Sequence, residues 1–335
     1  MENKPQPLAL TMGDPSGIGP EIILKSLTVL KNNNYLVLGD PLIFESAIER
    51  FGIPFELNKI KTVSEANFKS DILNLLITSE LTKNPNFGET SAESGKASFS
   101  AIVEAIKLAK LKKISGIVTA PINKKSLNLA RLNFPGHTEI LSKYSGSEKV
   151  AMMLLNKDIK TVLVTLHCPL TEVMQRISVQ KEFEAIELAY KGAQMLGIKN
   201  PIIAVAALNP HAGEEGLFGT EEKEIIKPAI KLAVEKGIDV RGPFPGDTVF
   251  MNAKMGKYDI VVAQYHDQGL IPIKFNGIED GVNITIGLDF IRTSPDHGTA
   301  FDIAGKGIAS AESFISALTL AQRLSFKSGI NPTNT

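Results

Sequence analysis

The chain has 335 residues, with 36 basic and 36 acidic side chains, 43% hydrophobic residues and one cysteine. Zero formal charge excludes a binder that lives on neutralising nucleic-acid phosphates, and a lone cysteine, Cys168, excludes an internal disulfide framework. The start MENKPQPLAL lacks the build of a signal peptide, and no run approaches the ~18 apolar residues of a membrane span. The expectation is a soluble cytoplasmic protein of about two domains, with neither nucleic acid nor membrane as a partner.

The first predicted element is a short apolar strand, LALT at 8–11. The glycine-rich loop GDPSGIGPE follows, and Pro20 suits a first helical turn. The loop is not the Walker pattern, because no GK[ST] follows, and its spacing is GxxxGxG rather than GxGxxG. Further apolar runs, each closed by Gly, Pro, Asn or His, come at 35–40 (YLVLGD), 114–121 (ISGIVTAP), 160–167 (KTVLVTLH), 202–210 (IIAVAALNP) and 259–266 (DIVVAQYH). Helical spacing marks 94–110, 180–197, 220–237 and 310–325. Strands of four to eight residues alternating with longer helices predict an α/β protein with a largely parallel sheet. Ligands of such sheets sit beyond the carboxyl ends of the strands.

Three of the five histidines occur at such ends: His167, His211 and His266. One histidine after a strand is usually a hydrogen-bonded loop residue. Three at one sheet edge form a site for a borderline divalent metal such as Zn²⁺, Co²⁺ or Fe²⁺. Cys168, adjacent to His167, points to the other face and stays outside the set. Asp267 follows His266. Asp247 lies in GPFPGDT, expected to be an irregular loop from its Gly and Pro content, where a carboxylate could orient a ligand or accept a proton.

Arginine is scarce, with six in the chain, and Arg292 stands alone among small residues, which suits bidentate anion recognition. Lys274 is a charge within the apolar LIPIKF and Asn283 an amide within GVNITIG; the bland alternatives are a lysine reaching solvent and a turn asparagine. His137 and Thr138 follow a Pro-Gly turn in FPGHTE, with a glutamate compatible with a helix start.

GDPSGIGPEI resembles the N-terminal loop of the isocitrate and isopropylmalate dehydrogenase superfamily, with two residues inserted. HGTAFDIAGKGIA, residues 297–309, is similar to that superfamily's adenosine-side NAD loop. Between them TAPINK, FPGHTE, TLHCPL, LNPHAGE, GPFPGDT and AQYHDQGLIPIK closely resemble the 4-hydroxythreonine-4-phosphate dehydrogenase family of pyridoxal phosphate (vitamin B6) biosynthesis, over essentially the whole chain. The resemblance implies two α/β domains with a cleft between them, isocitrate/isopropylmalate dehydrogenase-like and without a Rossmann fingerprint. The expected boundaries are 1–133 plus 305–335 for a discontinuous first domain, and 134–304 for a second carrying the metal ligands and dimer interface.

The same resemblance implies His167, His211 and His266 as metal ligands, the third from the partner subunit of a homodimer. Zinc is the first expectation for the metal, with cobalt and magnesium as alternatives. His137, Thr138, Lys274, Asn283 and Arg292 are implied as substrate contacts, and His297, Gly298 and Asp302 as contacts to NAD, with NADP left open. The implied reaction is oxidation of 4-phosphooxy-L-threonine at C3, then decarboxylation to 3-amino-2-oxopropyl phosphate. Asp247, Lys274 and a metal-bound water all remain open as the base. The opening loop is read as backbone shaping beside the cleft. The rival readings are a dehydrogenase of phosphorylated threonate or erythronate, a metal-dependent phosphohydrolase, and a binding protein that kept the fold.

Overall fold

The computed structural model describes residues 6–30, 34–275, 277 and 280–327. Two compact units divide it, one of Met1–Glu148 and Leu288–Thr335, the other of Lys149–Gly287. Among the described residues no helix is long and apolar enough to cross a membrane.

The first unit opens with β1 (Leu8–Thr11), α1 (Gly19–Leu30), β2 (Tyr35–Gly39), α2 (Pro41–Phe51), β3 (Glu56–Ile60) and β4 (Ile72–Ile77). It continues with α3 (Ala92–Lys110), β5 (Gly116–Thr119), α4 (Lys124–Leu129) and α5 (His137–Ser145). In the second unit come β6 (Ala151–Leu155), β7 (Lys160–Leu163), α6 (Leu170–Arg176), α7 (Val179–Met195), β8 (Ile203–Ala206) and α8 (Lys227–Glu235). That unit ends with β9 (Val240–Phe244), α9 (Gly246–Lys254), β10 (Ile260–Ala263), α10 (His266–Phe275) and β11 (Val282–Ile286); β12 (Arg292–Pro295) and α11 (Glu312–Lys327) return to the first.

In the first unit the strand order is β3-β4-β2-β1-β5-β12, every pair parallel. Parallel strands covered by helices need apolar residues throughout, and β1, β2 and β5 are buried at every position. Ala101, Ile102, Ala105 and Ile106 of α3 pack with Leu36, Leu38 and Ile117 of the strands. Burying each large aliphatic chain there stabilises the fold by about 1.5–3 kcal/mol. Local signals stop and start the helices: Asp40 accepts from Leu42 N ahead of Pro41, and Gly52 closes α2 in the left-handed conformation.

The second unit orders its strands β11-β6-β7-β10-β8-β9. Here β7-β10-β8-β9 is parallel, whereas β11-β6 and β6-β7 are antiparallel. The sheet is therefore mixed, since a four-residue connection between β6 and β7 is too short for a crossover.

Two expectations need correction. The units divide after Glu148 and Gly287, not near Asn133 and Gly305. The aromatic set Phe99, Phe134 and Tyr144 fastens α5 to α3 in the first unit, and 288–304 supplies β12 to β5. GPFPGDT is not irregular either: Phe244 ends β9, and Asp247 lies in the first turn of α9 after Pro245. Proline's fixed φ suits the entry to a helix, and an aspartate there complements the helix dipole.

Candidate active site

Arg292 opens β12 and is 2% exposed, with Nη2 donating to Thr119 Oγ1 at 2.6 Å. Burial pushes its pKa down to about 9, which leaves it cationic at neutral pH. His137 is the first residue of α5, and its Nε2 is buried without a hydrogen-bond partner among the described residues. Burial foremost, and then the Arg292 charge, hold its pKa well below the usual histidine value. A guanidinium, an uncharged imidazole and the amide end of α5, followed by half-buried Thr138, form a seat suited to an anionic oxygen.

The strap 297–309 lies in the same unit. Ile18 N donates to Thr299 O at 3.1 Å and Gly88 N to Ser16 O at 2.9 Å, so the opening loop grips two other segments. A side chain at Gly17 would come within 2.9 Å of that Thr299 carbonyl, and Gly13, at φ +75°, is in the left-handed region. The loop thus brackets those segments through its backbone. Asp302 and Gly298 are exposed, and a Cβ on Gly298 would meet nothing within 4 Å. His297 Nδ1 pairs with Gly298 O at 3.0 Å, while its Nε2 is buried without a partner among the described residues.

In the second unit the three strand-end histidines follow β7, β8 and β10, which are neighbours and parallel. The rings of His167 and His266 lie 5.6 Å apart, and His266 Nδ1 is 2.7 Å from Asp267 Oδ1. His211 lies instead on a cavity of about 520 Å³ with Asp247, Asp267 and Gln268. Among the described residues no group of three or more His, Cys, Asp or Glu side chains gathers as a metal cage. His211 itself, at φ +52°, begins five left-handed residues, a conformation that costs roughly 1–2 kcal/mol each for non-glycine residues. Glu222, 3% exposed, holds the approach to that turn by accepting from Leu208 N (2.9 Å) and Asn209 N (2.8 Å). Lys274 lies in the last turn of α10, a helix where the run LIPIKF continues through Pro272, and Asn283 is a strand residue of β11 rather than a turn. Its Oδ1 is buried without a partner among the described residues.

Sequence reasoning missed Gln264 and Glu182. Gln264 Nε2 donates to Glu182 Oε1 (3.0 Å) and Ala206 O (2.9 Å), while the main-chain carbonyl of Gln264 accepts from Thr165 Oγ1 at 2.7 Å. Through its main chain and its side chain together, this one residue after β10 ties the ends of β7 and β8, two residues before His266. Burial raises the Glu182 pKa to about 7, against the opposing Gln264 bond. The available signal was a glutamate on the apolar face of a helix, followed at long range by a glutamine inside VVAQYH.

The family profile described as pyridoxal phosphate biosynthetic protein PdxA matches residues 31–321. A 4-hydroxythreonine-4-phosphate dehydrogenase of Beijerinckia indica is 57% identical over 319 residues, covering 95% of each chain. A D-threonate 4-phosphate dehydrogenase of Cupriavidus necator is 44% identical, over 93% of this chain and 95% of that one. The crystal structure of 4-hydroxythreonine-4-phosphate dehydrogenase from Klebsiella pneumoniae superposes with a TM-score of 0.87 at 40% identity, covering 96% of this chain and 99% of that one.

Proposed function

The chain belongs to the pyridoxal phosphate biosynthetic protein PdxA family, and on that premise we propose that it is the NAD-dependent dehydrogenase of 4-phosphooxy-L-threonine. The observation that carries the reading is the anion seat: an arginine 2% exposed stands beside an uncharged histidine at a helix start, donors suited to an anionic oxygen. His137, Thr138 and Arg292 hold the phosphate or the carboxylate, with Lys274 and Asn283 as further substrate contacts. His297, Gly298 and Asp302 receive the cofactor. The isocitrate/isopropylmalate dehydrogenase-like arrangement of the fold belongs to the same proposal.

NAD⁺ held by His297, Gly298 and Asp302 would supply the acceptor for the C3 hydride, and a divalent metal held by His167, His211 and His266 would supply positive charge at the C3 hydroxyl. Asp247 or Lys274 takes the hydroxyl proton. The resulting β-keto acid loses its carboxylate as CO₂, and a proton delivered to C2 completes 3-amino-2-oxopropyl phosphate. Arg292 and His137 keep the reacting carbon in place throughout, which is the protein's main contribution to the rate.

The donor set fits a metal of the zinc or cobalt type better than magnesium, which prefers oxygen ligands. The rings of His167 and His266 lie 5.6 Å apart between centroids, and among the described residues no group of three or more His, Cys, Asp or Glu side chains gathers there. In a homodimer His266 of the partner subunit would complete the set with His167 and His211 of the first chain, as the family resemblance implies. Exposed apolar residues on the same elements support it: Leu170 and Met174 on α6 just after His167, and Ile271 and Phe275 on α10 after His266.

The second reading, D-threonate 4-phosphate as substrate, is favoured by the 44% identical relative of that name. Following NADH with each substrate in turn separates the two. Turnover with phosphothreonine, lost with a chelator, is the expected result; turnover with the threonate alone keeps the chemistry and reassigns the substrate.

A further inference from the structure

The end of the strap, Gly305–Ala309, contains no regular secondary structure, and side chains of the first two helices satisfy its backbone. Lys25 Nζ on α1 donates to Gly307 O and Ala309 O, both at 2.9 Å, and to Glu21 Oε1 at 2.8 Å. The same Glu21 oxygen accepts Ala309 N at 2.9 Å, and Glu21 is 2% exposed. Arg50 on α2 reaches Gly305 O at 3.4 Å with its guanidinium 4.9 Å from the Phe87 ring centroid. Gly305 and Gly307, at φ +74° and +71°, give this stretch a shape that needs holding. Beside it is a cavity of about 280 Å³, lined in part by Gly17, Pro20, Glu21, Arg50, Phe87 and Gly305.

We propose that the Glu21–Lys25 pair is a clasp that fixes the Gly305–Ala309 end of the strap in the form that receives the dinucleotide, so that both are positioning residues for cofactor affinity. This rests on the reading that the strap 297–309 binds NAD. The pair is one turn apart on a rigid helix and makes three bonds to the strap's main chain, so the loop's shape is prepared before the cofactor arrives. Neither residue touches a reacting atom, and so the clasp acts on binding and not on the chemical step. The opening GDPSGIGPE motif gains a purpose here: its loop grips Thr299 and its helix grips Ala309, at opposite ends of one strap.

The test compares Lys25→Met, Lys25→Arg and Asp302→Ala in the full chain. NADH dissociation constants come from fluorescence titration, with kcat, both KM values and hydrogen exchange at the Ala309 amide alongside. Lys25→Met is expected to weaken NADH binding and raise the NAD⁺ KM by roughly 10-fold, with kcat at saturating NAD⁺ and the substrate KM within about twofold. Ala309 should exchange faster, and Lys25→Arg should recover most of the affinity. Wild-type NADH affinity in Lys25→Met, while Asp302→Ala weakens it, would overturn the clasp and leave the strap's role standing. If neither variant changes NADH affinity, the reading of the strap fails and takes the clasp with it. An equal loss in kcat and both KM values without rescue by arginine would make the pair a structural tie, against the proposal. Should Lys25→Met fail to fold, Glu21→Gln carries the same comparison.

Discussion

Arg292 in the first unit is closed off from solvent and bonded within its own chain, whereas His167 and His211 in the second unit are exposed and His266 half-exposed. Folding has already stripped the buried arginine of its hydration, so on the proposed reading an anionic substrate would meet a strong, desolvated donor there. The histidines stand at the ends of three neighbouring parallel strands, yet only two of their rings meet. One region is bonded within a single chain; on the proposed reading the other is completed by a metal and a second copy. Preorganisation can be invested in a charge that folding buries, while a metal site can wait for assembly.

The largest effect should come from breaking the unfinished region. His211→Ala is expected to remove metal, by elemental analysis, and to lower NADH formation more than about 100-fold. A chelator should mimic that loss in the wild type, with recovery on adding metal back. Next, Arg292→Met should lower kcat/KM by roughly 10²–10³-fold, and Arg292→Lys should not restore it, because an ammonium cannot make the forked contact.

A smaller effect concerns the support beneath His266. Burial pushes the pKa of Glu182 up to about 7 in the folded chain, from 4.5 for a solvated glutamate. Between those values the folded chain binds more protons than the unfolded one, so stability falls as pH rises through that window. Glu182→Gln, which stands in for the protonated acid, should gain stability on the order of 3 kcal/mol at pH 8 and almost none at pH 4, read by denaturant titration. Smallest is Gly298→Ala. Its Cβ would meet nothing, so stability should stay within about 0.5 kcal/mol. If Gly298 receives the dinucleotide, only the NAD⁺ KM should rise.

What the sequence revealed follows the same division. Apolar runs ending in histidine carry a period and a position, and the three strands prove to be adjacent and parallel. The helix start in FPGHTE was legible from its turn and glutamate, and α5 begins at His137. Arg292 stood out as an isolated charge, although its burial against Thr119 depends on a β12–β5 pairing no local pattern encodes. Three further features are non-local. The Glu182–Gln264 bond joins residues 82 apart, the left-handed turn at His211 is held by Glu222, and the unit boundary at Glu148 depends on aromatic packing of α5 onto α3. In GPFPGDT, glycine and proline were read as breakers of regular structure, although Pro245 leads into a helix there.

Native mass spectrometry of zinc-loaded wild-type protein tests most directly whether the histidine region is completed by a second copy. The account predicts that metal travels with the dimer and that the monomer species carries none. A monomer that holds zinc as tightly as the dimer would contradict it, because three ligands would then have to come from one chain.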